Sequence, residues 1–265
     1  MKNIVVLCLL FFTSKIKAQE LFVYTEPASN MPAKSVGLRL SNNWMNDDKA
    51  NRINYFLLPE IMWGVNKNLM LHAEMIASDR TRKFGYEGWS LYGKYRFLSK
   101  DGVHNHFRMA AYARVSSNNS HIHQEEIEIN ANNSGYEVGL IATKLINKVA
   151  ISASSSFEKA NNNANNNKFP FTHSNKAINY TLSFGKLMLP KSYDNYKQTN
   201  VNFMIELLGQ SIVDRNKAYL DVAPSIQFIF NSQSRIDIGY RKQIAGNMIR
   251  MSSFGYLIRL EHLIF

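Results

Sequence analysis

Trp89-Ser90-Leu91-Tyr92-Gly93-Lys94-Tyr95-Arg96-Phe97 reads as two interleaved rows. Trp89, Leu91, Gly93, Tyr95 and Phe97 form a largely apolar row. Ser90, Tyr92, Lys94 and Arg96 form a polar one. Period-two alternation puts each row on one face of a β-strand. The rhythm recurs along the chain. Phe107, Met109, Ala111, Ala113 and Val115 oppose His106, Arg108, Tyr112 and Arg114. Val149, Ile151, Ala153 and Phe157 oppose Ser152, Ser154 and Ser156. Ile178, Tyr180, Leu182 and Phe184 oppose Asn179, Thr181 and Ser183, and Val201, Phe203, Ile205 and Leu207 oppose Asn202 and Glu206. The pattern predicts about twelve strands, near 35–43, 51–63, 68–78, 86–98, 105–117, 134–145, 148–158, 177–188, 199–210, 217–230, 234–244 and 250–265.

The connections alternate in length. Longer ones surround Asn46-Asp47-Asp48, Asp79 to Gly85, Asn118 to Asn133, Glu158 to Lys176, and Ala245 to Ile249. Shorter ones hold Gly64 to Lys67, Ser99 to His104, Ile146-Asn147, and Asn231 to Gln233. Leu189 to Gln198 breaks the rule, being long where a short turn is due. The asparagine-rich tract Asn161 to Asn167 has little apolar area to bury and is expected to be a mobile external loop.

At the start, Met1-Lys2-Asn3 leads into the apolar run Ile4 to Phe12 and a polar stretch ending Ala18-Gln19. These are the parts of a secretory signal peptide, with cleavage expected after Ala18. The run is far short of the ~20 residues a spanning helix needs. Cys8, the single cysteine, leaves with it, which excludes disulfides and thiolate chemistry from the mature chain. The formal charge of +11 loses Lys2, Lys15 and Lys17, leaving +8. A basic balance favours anionic neighbours such as lipopolysaccharide. The bases are dispersed along strands rather than clustered, which argues against nucleic acid.

A soluble sandwich or soluble barrel would also alternate. Polarised loop lengths favour a membrane barrel, as do the aromatics near strand ends: Trp63, Trp89, Tyr95, Phe97, Phe171 and Tyr256. So does the close of the chain on a strand. The tail Tyr256-Leu257-Ile258-Arg259-Leu260-Glu261-His262-Leu263-Ile264-Phe265 resembles the C-terminal assembly signal of Gram-negative outer-membrane β-barrel proteins. In that family the terminal aromatic and alternate residues before it are hydrophobic. Phe265 and Leu263 match, whereas Glu261 and Arg259, in the same phase, depart. Either the register shifts near the end, or Arg259 and Glu261 face the lumen and Phe265 turns into the interface.

The expected fold is therefore all-β, a transmembrane antiparallel up-and-down barrel of about 12 strands over residues 35–265. Residues 1–18 are the signal peptide. Residues 19–34, with Pro27, Asn30, Met31 and Pro32, are too irregular for a strand. They form either a periplasmic segment or a short plug in the lumen. The resemblance implies the outer membrane as location. Lipid, lipopolysaccharide and the barrel-assembly machinery are the implied partners.

The polar rows put charge of both signs inside the barrel. Lys94, Arg96, Arg108 and Arg114 fall on neighbouring strands and suggest an anion-preferring patch, flanked by Glu60, Glu74 and Glu137. Asp221, Asp237, Arg241, Arg259 and Glu261 follow near the end of the chain. Such charges either line a solute path or fill a closed interior with salt bridges. Two His-x-His pairs, His104/His106 and His121/His123, have a spacing that can chelate Zn or Cu. His121 and His123 are the candidate metal ligands, against an ordinary reading as exposed loop histidines. Ser174 beside His173 and Ser120 beside His121 point to opposite faces of extended chain, so no catalytic dyad is read and no enzyme is expected. No cofactor is expected. The expected function is a channel or passive transporter for small polar or anionic solutes. The alternative is a closed barrel with a structural or surface-interaction role.

Overall fold

A computed structural model describes residues 22–47, 50–103, 105–192 and 198–265. The expected signal peptide and His104 lie outside these residues. The described chain folds into twelve strands: β1 Val36–Asp47, β2 Arg52–Gly64, β3 Leu69–Ser78, β4 Gly85–Asp101, β5 Asn105–Asn118, β6 Gly135–Ile146, β7 Val149–Ala160, β8 Lys176–Leu189, β9 Asn200–Ile212, β10 Ala218–Phe230, β11 Ser234–Gly246 and β12 Ser252–Ile264. Each pairs with its neighbour in sequence, and β12 pairs with β1, so the sheet closes into an up-and-down antiparallel barrel. Closure leaves no unpaired edge, which the hydrocarbon layer of a membrane demands.

The alternation decides which side chain faces out. Leu91, Tyr95, Ile151, Leu182, Phe203, Ile205, Ile238 and Ile258 are large apolar residues exposed on the outer wall. Trp89 and Val149 are exposed with them, and Phe107 is half-buried in the same outward phase. The opposite phase is polar and buried: Arg39, Glu60, Ser90, Lys94, Glu206, Gln227, Asp237 and Glu261 all lie inside. An apolar outside around a polar inside inverts a soluble protein and fits a barrel solvated by lipid. Trp63, Trp89, Tyr95, Phe97 and Tyr256 are exposed on that outer wall, whereas Phe171 sits on the connection 161–175.

The terminal strand stays in register. Val36 pairs with Ile264, Arg39 with Glu261 and Ser41 with Arg259. Arg259 and Glu261 therefore face the lumen, and Leu263 packs beside Met31 and Met62. Both ends of the barrel wall lie on the side of the short turns 65–68, 102–104, 147–148 and 231–233, which is the periplasmic end in outer-membrane barrels. The exceptional connection lies between β8 and β9, and its residues 193–197 are outside the described ones. The long connections 119–134 and 161–175 lie at the external end.

Most of the asparagine tract is exposed at the external end, with Asn163 the buried exception among its residues. Asn163 is buried and donates to the carbonyls of Ser120 and Asn132, while its Oδ1 accepts the Ser134 N–H. Its amide satisfies backbone groups of the neighbouring loop, which a purely solvated tract would not do.

Candidate functional site

The interior is occupied by two pieces of chain that are not strands. The first is residues 22–34. Glu206 on β9 accepts the backbone N–H groups of Val23, Tyr24 and Thr25, each at 2.9 Å, and the Thr25 hydroxyl at 2.7 Å. Arg259 on β12 donates to Val23 O at 2.6 Å. Thr143 on β6 accepts Ala28 N at 2.9 Å. Lys94 on β4 donates to Pro27 O and Ser29 O at 2.7 and 2.8 Å, and Arg108 on β5 reaches Ser29 Oγ at 2.9 Å. A segment that touches β4, β5, β6, β9 and β12 together runs inside the barrel. Of the two placements open for residues 19–34, the described part, 22–34, takes the luminal one.

Apolar burial adds to these bonds. Phe22 and Val23 pack with Ala150, Met204 and Leu257, and Met31 packs with Met62, Met70 and Tyr92. Each such large side chain contributes about 1.5–3 kcal/mol when fully buried. The segment enters past Gly64, where any Cβ would collide with the Pro32 carbonyl oxygen. Burial alone would raise the Glu26 carboxyl, but Arg39, 3.0 Å away, and Lys94 hold it well below the usual range. Arg39 also pairs with Glu60 at 3.0 Å and Glu261 at 2.8 Å, and Glu261 accepts Arg235 at 2.7 Å.

The second piece is the connection 119–134, which folds down into the external mouth. Ile127 and Ile129 are buried against Ala160, Ala177, Ile212 and Tyr219. Gln210 clamps Ile127 through both its N–H, at 2.9 Å, and its carbonyl, at 2.7 Å. Glu126 accepts Arg250 at 2.6 Å and Met251 N at 2.7 Å.

Between the two pieces lies a cavity in two adjoining lobes, each of about 190 Å³. Its floor is Tyr24, Thr25 and Glu26, and its roof includes Glu128 and Asn130. Arg39, Glu60, Glu74, Arg114, Arg241 and Arg259 are on the wall of one lobe. Glu137 and Glu158 are on the wall of the other. Arg114 stands between Glu137 at 3.6 Å and Glu74 at 3.9 Å, both too long for a hydrogen bond. Its Nε and the Glu74 Oε1 are buried with no hydrogen-bond partner in the protein. Arg114 is held by Ser90 Oγ at 3.1 Å and by the Tyr92 ring, 5.0 Å away.

The four bases singled out in the sequence are thus divided. Lys94 is fully buried under residues 27–29. Arg108 pairs with Asp101 at 2.8 Å and with Ser29. Arg96 donates to Lys67 O at 2.6 Å, near the periplasmic turn. Only Arg114 reaches the cavity, where Glu74 and Glu137 meet it. Glu60 sits lower, between Arg39 and His72 Nδ1 at 2.6 Å. Glu206, Gln210, Glu126 and Glu128 were not singled out as site residues. Ile127 and Ile129 were the available signal, since a solvated loop has no use for two isoleucines.

His121 and His123 stack at the external surface with ring centroids 5.8 Å apart. Among the described residues, no group of three His, Cys, Asp or Glu side chains converges to hold a metal. His106 Nδ1 lies 2.7 Å from Asp101.

No family model and no curated protein matches the chain. Solved structures do. The COG4313 outer membrane channel from Pseudomonas putida F1 superimposes with a TM-score of 0.57 at 10% identity, over 92% of this chain and 100% of that one. A KdgM porin superimposes with a TM-score of 0.51 at 9% identity, over 85% and 98%. At such identities the likeness is one of fold. The chain has the closed β-barrel fold of these two outer-membrane channels.

Proposed function

We propose that this barrel is a passive channel for small polar solutes, anionic ones included. Residues 22–34 act as its luminal constriction. The observation that carries the reading is the cavity around Arg114. A barrel filled only for rigidity would close its ion pairs, because a buried, unpartnered charged group is costly. Here Arg114 stands 3.6 Å from Glu137 and 3.9 Å from Glu74, beyond hydrogen-bond reach, and all three line the cavity. Water or a polar solute supplies what the wall omits. The lining carries Arg39, Arg114, Arg241 and Arg259 among more numerous carboxyl groups, so it meets solutes with groups of both signs. No covalent step is required. Selection is steric and electrostatic.

A closed barrel that works through its external loops is the second reading. The packing of residues 22–34 against strands around the wall favours it. Swelling of proteoliposomes in isosmotic glycine or arabinose separates the two. The channel reading expects swelling that quickens when residues 22–34 are deleted. Heat-modifiable, folded barrels that give no swelling with or without the segment would favour the closed scaffold.

A further inference from the structure

A second pocket, of about 660 Å³, opens at the external end, lined by Asp47, Arg52, Arg80, Arg82, His121, His123, Gln124, Arg250 and Met251. Among the described residues, its lining holds four arginines and one carboxylate. Arg80 and Arg250 are already committed: Arg80 lies 2.9 Å from Glu87, and Arg250 lies 2.6 Å from Glu126 and 2.7 Å from Asp221. Arg52 and Arg82 have no carboxylate partner among the described residues. Arg52 spends Nη2 on the carbonyls of Asp79 and Arg80, leaving its Nε buried and unpartnered. Gln124 is 2% exposed; its Oε1 accepts His123 N, while its Nε2 has no partner. Asp47, the one acid among the described lining residues, accepts Ala50 N at 2.9 Å and Asn54 Nδ2 at 3.2 Å. Buried donors without acceptors, beside two guanidinium groups that lack a carboxylate partner among the described residues, are a demand for an anion. The same charge opposes a dication at His121 and His123.

We propose that this pocket is a capture site for the carboxylate or phosphate group of a soluble anionic solute. Arg52, Arg82 and Gln124 supply its donors. Met251 lines both this pocket and the interior cavity, so a captured solute stands at the entrance to the lumen. The transport role of the site rests on the channel reading; binding does not.

Calorimetric titration of citrate into the full mature protein, refolded without lipopolysaccharide in low salt, tests it. Saturable binding is expected, weakened at least ~10-fold by the pair Arg52→Gln and Arg82→Gln, since charge-assisted bonds are lost. Arg82→Gln alone, at an exposed loop position, should weaken binding about threefold without touching the fold. Arg215→Gln removes the same charge from another external loop and should change nothing. Absence of citrate binding overturns the proposal, as does equal weakening by Arg215→Gln. Binding of purified lipopolysaccharide through Arg52 and Arg82, with none of citrate, also overturns it. Citrate binding in a barrel that never conducts would overturn the channel reading and leave this site standing.

Discussion

Replacing Glu206 with Ala should release residues 22–34 from the lumen. One carboxylate accepts three backbone N–H groups and one hydroxyl, at 2.7–2.9 Å, from a segment more than 180 residues away. Its removal strands buried donors, and each costs about 1–3 kcal/mol. The segment can relax and water can enter from the adjoining cavity, so the three costs do not add. One full penalty, about 2–3 kcal/mol, is the fair magnitude. At 1.4 kcal/mol per decade that raises the undocked population roughly 30- to 150-fold. Chymotrypsin cleavage at Phe22 and Tyr24 reads that population, because both are held inside when docked. Cleavage should accelerate by that factor, while heat-modifiable mobility reports an intact barrel. Glu206→Gln keeps one acceptor oxygen and should fall between. Cleavage at the wild-type rate in folded Glu206→Ala barrels would refute the docking role of this carboxylate.

Three further outcomes follow from the same geometry. Glu26 has a lowered carboxyl, so its contribution to docking is complete above the ordinary glutamate range and is lost as pH falls through the lowered value; cleavage of the segment, scored at each pH against an unstructured peptide and with pepsin in place of chymotrypsin in acid, should be flat from pH 8 to pH 5 and rise only in stronger acid, and a rise near neutrality would contradict the Arg39 pairing. Arg114→Ser removes the base that stands between Glu74 and Glu137. Reversal potentials across a salt gradient should then shift toward cations, by less at high salt where screening is short-ranged, and an unmoved potential would remove Arg114 from the filter. Deletion of Phe265 should sharply lower the heat-modifiable species in outer membranes if the tail carries the assembly signal, and unchanged insertion would deny it that role.

Local alternation made the wall readable. The expected strand 51–63 is Arg52–Gly64, and 148–158 is Val149–Ala160, because side chains in a strand must choose a face and lipid rewards only one choice. The orientation of Arg259 and Glu261 was open for the same reason it could be stated at all. Their phase was visible, but whether the register slipped depended on β1 across the closure. The lumen was less readable. The contacts of Glu206 with residues 23–25 bridge nearly the whole chain, and no local pattern encodes them. The bases Lys94 and Arg108 looked like a continuous patch because their phase is correct, yet their partners come from a segment without periodicity. Asn163 looked solvated because composition records its polarity and not the three backbone groups it meets.

The central claim is that the lumen conducts and that residues 22–34 constrict it. Single-channel recording in planar bilayers tests this most directly, comparing the full mature chain with one lacking residues 22–34. Discrete conductance steps are predicted, larger or longer-lived in the deleted form. A folded, inserted barrel that passes no current even without the segment would contradict the account.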